Sequence, residues 1–165
     1  MKKLVLIILV AFSLFESYAQ TIVSVSPENS VISINSKLTL KLITFDSVNY
    51  TYNIVKSEPF TDLINIYEHN ELLYGPIAEN TIELIFCRGT HGDTKKEKEK
   101  NLMTLLMIKN GTNNTLTCIA DQIRSYDMNF KSDHVLILHP KLKLTENWLF
   151  VFDKLYLHDL RINNK

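Results

Sequence analysis

The chain has 165 residues, with 18 basic and 18 acidic side chains, 45% hydrophobic residues and two cysteines. Such a length suits one domain whose core needs neither a metal nor several disulfides. The charge balance supplies no basic face for nucleic acid and no polybasic patch for a membrane surface.

Residues 1–19 read as a cleavable signal peptide. Lys2 and Lys3 precede an apolar run from Leu4 to Phe15, followed by Glu16-Ser17-Tyr18-Ala19 with small residues at 17 and 19. The apolar run is too short for a permanent span, which needs roughly 20 residues. No cysteine stands near the cleavage point, so lipid attachment is not indicated. Cleavage after Ala19 leaves residues 20–165 as one domain starting at Gln20, with no stable membrane span. Two basic residues and one acidic residue leave with the leader, so the remainder carries one net negative charge.

Strand signals then recur at short spacing. Ile22 to Ser26 alternates and ends in a Pro27-Glu28-Asn29 turn. Val31 to Ile34, Leu38 to Ile43 and Tyr50 to Val55 follow. Leu63 to Tyr67 reads as a short strand or a helical turn, and Gly75-Pro76 as a break. Thr81 to Cys87 is a strong strand, interrupted by Arg88-Gly89 and His91-Gly92-Asp93. Residues 93–110 are ambiguous. Thr94-x-x-Glu97 matches a capping box, but residues 94–101 offer no apolar face for a helix to bury. The preferred reading is a charged hairpin loop over 89–100 followed by a buried strand from Leu102 to Ile108. Asn110-Gly111 supplies a tight-hairpin turn, with Thr115 to Ala120 as the return strand. Tyr126 to Phe130 and His134 to Leu138 are two more strands. In the last strand, Lys154 to Ile162, the apolar phase shifts from Leu155 and Leu157 to Leu160 and Ile162, which predicts a bulge.

The expected fold is all-β: an antiparallel β-sandwich of about eight strands, immunoglobulin-like in the loose sense, with a closed barrel as the alternative. Trp148 is expected to pack over one end. Alternation places Cys87 on the face of Glu83 and Cys118 on that of Leu116. One therefore looks outward and the other inward, which favours two inert thiols over a bridge.

Asn80 to Phe86, Leu106 to Thr112, Glu146-Asn147-Trp148, Leu155 to Leu160 and the Ala19-Gln20 junction together resemble a group of small exported proteins of Bacteroidetes-type Gram-negative bacteria. The resemblance implies a sandwich fold and export to the periplasm or beyond. It carries over no catalytic residues.

No chemical motif stands out. His69, His91, His134, His139 and His158 show no metal-ligand spacing. His91-Gly92-Asp93 is the best local candidate for a metal or acid–base role, and reads more simply as a solvated loop tip. Cys87 and Cys118 lack a neighbouring base. The run Lys95 to Lys100 reads as a solvated tip, since its lysines are interleaved with glutamates. Tyr50, Tyr52, Tyr67 and Tyr74 could form an aromatic platform for sugar or peptide, against the plainer reading of ordinary strand aromatics. No catalytic, cofactor-binding or metal-binding residue is assigned. The expectation is an exported, non-enzymatic β-sandwich that binds another envelope protein or a glycan. The alternative is a small hydrolase or metal-dependent enzyme with a site assembled from separate loops.

Overall fold

The computed structural model describes residues 31–68, 71–123 and 134–163. The leader, the strand expected at Ile22 to Ser26 with its turn, the strand expected at Tyr126 to Phe130, and His69 all lie outside these residues. No helix among the described residues is long and apolar enough to cross a membrane.

The chain forms β1 (Val31–Ser33), β2 (Ser36–Thr44), β3 (Tyr50–Pro59), β4 (Ile64–Asn65), β5 (Thr81–Thr90), α1 (Lys95–Lys100), β6 (Met103–Asn110), β7 (Leu116–Ile123), β8 (His134–Leu138), β9 (Lys143–Trp148) and β10 (Lys154–Ile162). One sheet has the order β1-β10-β7-β8. The other has the order β3-β2-β5-β6-β9, with β4 added alongside β5. All pairings are antiparallel except the two-residue β4–β5 contact. The protein is an all-β sandwich.

Alternation along each strand fills the space between the sheets. Leu38, Leu40 and Leu42 of β2, Ile82, Leu84 and Phe86 of β5, and Leu106 and Ile108 of β6 meet Leu116, Cys118, Ala120, Leu136, Leu138, Leu155 and Leu157 from the facing sheet. Trp148 caps one end of this core as expected, edge-on to Phe152 at 5.2 Å, and Phe152 lies 5.5 Å from Phe86. Each such fully buried large side chain contributes roughly 1.5–3 kcal/mol.

The other face of β5 and β6 is apolar as well. The segment between β3 and β5 lies across it, so that Leu73, Phe60, Ile64, Ile66 and Leu72 cover Ile85, Cys87, Leu105 and Met107 in a second, smaller core. Lys109 projects to this face. It is almost fully buried, and its ammonium donates to the carbonyls of Leu73 (3.1 Å) and Gly75. An ammonium taken out of water needs such acceptors.

Three expectations require correction. First, β5 does not stop at Arg88-Gly89 but continues to Thr90. A Cβ on Gly89 would meet Met103 Cγ at 3.1 Å, so glycine serves there to let β6 pack closely rather than to end the strand. Second, the charged loop at 89–100 contains the short helix α1. Thr94 and Glu97 form the full capping box, and none of its residues is buried. Capping and lysine–glutamate propensity suffice for a helix of six residues without a buried face.

Third, Asn110-Gly111 does not close a hairpin, because β6 and β7 belong to different sheets. It is a crossover. The buried Asn110 side chain donates to the carbonyls of Asn114 (2.8 Å) and Leu138 (2.9 Å) and accepts from Thr112 N–H (2.8 Å). Gly111 N–H donates to the Thr81 carbonyl at 2.8 Å. A Cβ on Gly111 would lie 2.4 Å from the Ala78 oxygen and 2.7 Å from that of Thr81.

Gly111→Ala should therefore destabilise the fold by about 2 kcal/mol or more through overpacking. Asn110→Ala should cost about 2–4 kcal/mol by stranding buried backbone groups. Urea unfolding measures both, and wild-type midpoints would refute the crossover's role.

Candidate functional site

A pocket of about 660 Å³ lies where the two sheets meet along one open side. β3 is the outer strand of its sheet. β1 pairs with β10 only along Lys154 to Tyr156. Beyond Tyr156, β10 instead approaches β3. The Tyr52 hydroxyl donates to the Leu157 carbonyl at 2.9 Å, Ile162 N–H donates to the Val48 carbonyl at 2.8 Å, and Asn49 bridges to Arg161.

The bulge predicted in β10 shapes this wall. The register jumps between His158 and Arg161, and Asp159 adopts φ 52°. Aspartate tolerates that left-handed backbone better than most residues. The extra residue turns Asp159 outward, with its side chain 63% exposed, and returns Leu160 to the core. The opposite rim is the turn before β3. There Asp46 accepts from Val48 N–H, Asn49 N–H and Asn49 Nδ2 at 2.7–2.8 Å. These bonds, that from the Asn49 side chain foremost, hold the Asp46 carboxyl below its ordinary range.

Phe45, Tyr50, Tyr52 and Tyr156 give the pocket an aromatic lining. Its polar groups come from Asn49, Thr51, His158 and Asp159. His158 stacks on Tyr156, ring centroids 4.9 Å apart at 17°. Its Nε2 lies 3.1 Å from Asp121 Oδ2 and its Nδ1 lies 3.4 Å from Asp159 Oδ1. The imidazole is thus fixed between two carboxylates and held flat against an aromatic ring. Such a surface offers ring faces for an apolar ligand face and oxygen and nitrogen atoms for hydroxyl groups.

The expected tyrosine platform is split. Tyr50 and Tyr52 line this pocket, Tyr74 lines a different one, and exposed Tyr67 lines neither. Tyr156 and Phe45 complete the platform in their place. The Tyr156–His158 spacing of two residues, on one face of a strand with a phase shift, was the available sequence signal. What joins it to Tyr50 is tertiary.

The histidines are dispersed. His91 sits on the loop after β5, where its carbonyl accepts from Asn101 Nδ2 at 3.2 Å, and Asp93 is tied through its N–H to Glu97. The Thr94 and Asp93 contacts, backbone Thr94 foremost, hold the Glu97 carboxyl below its ordinary range. His134 reaches across the opposite open side to Glu146 at 3.1 Å, joining the outer strands β8 and β9. His139 is exposed. Among the described residues no three His, Cys, Asp or Glu side chains converge as metal ligands.

Both cysteines are free and buried, in separate cores: Cys118 between the sheets, Cys87 in the second core. The face of Cys87 looks outward from the sandwich, as alternation implied, but it is covered. Burial pushes each thiol from its ordinary 9.0 up to about 12, with Asp62 adding to the effect at Cys87. Scans against family models, curated proteins and solved structures find no match to this chain.

At pH 8 neither thiol should react with iodoacetamide in the folded protein, while both should label in urea, as mass measurement would show. The folded-state pKa lies above the unfolded one. The thiols' contribution to stability is therefore complete below pH 9 and is lost as pH rises from about 9 towards 12. Cys118→Ala should show a shallower alkaline decline than wild type, and identical slopes would contradict this assignment.

Proposed function

We propose that the chain is an exported, non-enzymatic β-sandwich that binds carbohydrate in the pocket between β3 and β10. The observation that carries this reading is the pocket's lining: three tyrosines and a phenylalanine beside one carboxylate, one imidazole and an asparagine. A sugar ring presents an apolar C–H face and a rim of hydroxyls, which matches stacked aromatic faces bordered by fixed hydrogen-bonding groups. Hydrolysis of a glycosidic bond ordinarily uses two carboxylates flanking the scissile bond. Asp159 is the one carboxylate among the described lining residues, which favours binding over a hydrolase. Export and a place in the bacterial envelope are part of the same proposal and rest on the leader at residues 1–19.

Titration of the protein with a panel of envelope and plant oligosaccharides, followed by NMR, tests the reading. A binding sugar should shift resonances of Tyr50, Tyr156 and His158. Tyr156→Ala should weaken it about tenfold, the loss of roughly 1.4 kcal/mol that one aromatic contact supplies. Shifts confined to other surfaces, or a sugar that the protein cleaves, would refute it. The protein recovered after export should begin at Gln20 by mass, and an intact Met1 would contradict the leader.

A further inference from the structure

A second pocket, about 440 Å³, opens on the outer face of the six-stranded sheet, beneath the segment that covers β5 and β6. Lys109, Lys141 and Lys143 all line it, and no acidic residue does among the described ones. Lys109 and Lys143 are register partners across β6 and β9. Like charges placed directly opposite each other in a sheet are destabilising. Neither Lys109 nor Lys141 forms an ion pair among the described residues. Lys109 donates to two backbone carbonyls and Lys141 to one, that of Gly111 at 2.5 Å. An ammonium has three donors, so both retain protons for a further acceptor.

Lys143 lies over the Tyr74 ring, 5.5 Å from its centroid. Desolvation, and then the charge of Lys109, hold its ammonium below the ordinary lysine range. The rest of the lining is apolar or aromatic, with Leu73, Leu142 and an exposed Tyr74.

We propose that this pocket binds a phosphate monoester, its phosphate held by the three lysines and its organic part laid against Tyr74 and Leu142. A phosphate monoester brings a charge of about −1.5 to −2 and three acceptor oxygens, where a carboxylate brings a single charge. The volume exceeds what inorganic phosphate fills, and the apolar wall gives the organic part a surface. The two pockets share no lining residue, so this site stands or falls independently of the carbohydrate reading.

Calorimetric titration of the purified protein at low ionic strength, with phenyl phosphate and with inorganic phosphate, tests the site. Phenyl phosphate should bind one to one, about tenfold tighter than inorganic phosphate, and weaken as salt is raised. Lys143→Gln and Lys141→Gln should each reduce affinity about tenfold or more, while Lys143→Arg retains it. Tyr74→Ala, at an exposed position that folding does not depend on, should weaken phenyl phosphate alone. Absence of saturable binding, or unchanged affinity in folded Lys143→Gln, would overturn the site. Equal affinity for the two ligands, or an unaffected Tyr74→Ala, would overturn the assignment to a monoester.

Discussion

The buried side chain of Asn110 holds the two sheets in register. β6 ends there in one sheet and β7 begins six residues later in the other. A strand that changes sheets leaves the ladder and must satisfy its backbone groups elsewhere. The Asn110 amide does this for the Asn114 and Leu138 carbonyls and the Thr112 N–H, which draws the end of β8 to the same point. The Asn110 backbone carbonyl accepts from Lys141 N–H, which places the chain entering β9. Gly111 fastens the start of β5 through the Thr81 carbonyl. Five strands thus meet at one pair of residues, and both need their particular chemistry: an amide that donates and accepts, and a position without a Cβ.

A second constraint follows from the apolar composition of β5 and β6. Both strands are apolar on both faces, so a simple two-layer sandwich would leave Ile85, Cys87, Leu105 and Met107 in water. The segment from Phe60 to Asn80 removes that exposure, and Lys109 secures it by reaching the Leu73 and Gly75 carbonyls. The same lysine sets up the second pocket. Holding the covering segment brings an ammonium to within one strand spacing of Lys143, and the crossover brings Lys141 alongside through its bond to Gly111. The lysine pocket is therefore a by-product of the two features that fasten the outer layer.

Much of the sandwich was legible because strand periodicity is local. The alternation of Leu38, Leu40 and Leu42, the phase shift at Leu160, the separate faces of the two cysteines and the end-capping Trp148 each follow from side-chain direction along one strand. What was not legible depends on partners distant in sequence. Asn-Gly after a strand reads as a hairpin turn because the local signal is identical whether the next strand returns beside it or crosses to the other sheet. Arg88-Gly89 reads as a break because the close approach of Met103 that favours glycine lies fourteen residues away. The capping box was visible at Thr94 and Glu97. The absence of a buried face argues against a helix there, yet a six-residue helix can be held by its cap alone.

The aromatic pocket shows the same division. Its β10 wall was implicit in the sequence, since a phase shift after Leu157 requires an extra residue, and that residue must turn outward if Leu160 is to reach the core. Asp159 is that residue, and the turn sets its carboxylate beside His158 and Tyr156. The facing wall could not be inferred, because Tyr50 and Phe45 arrive from the other sheet, brought there by the Asn49–Arg161 bridge and the Tyr52 hydroxyl. The bulge also accounts for the position of the site. A regular β10 would place Asp159 towards the core, where its charge would have no partner. The irregularity that spares the core this charge delivers a carboxylate and a fixed imidazole to the one stretch of β10 whose outer edge no described strand covers.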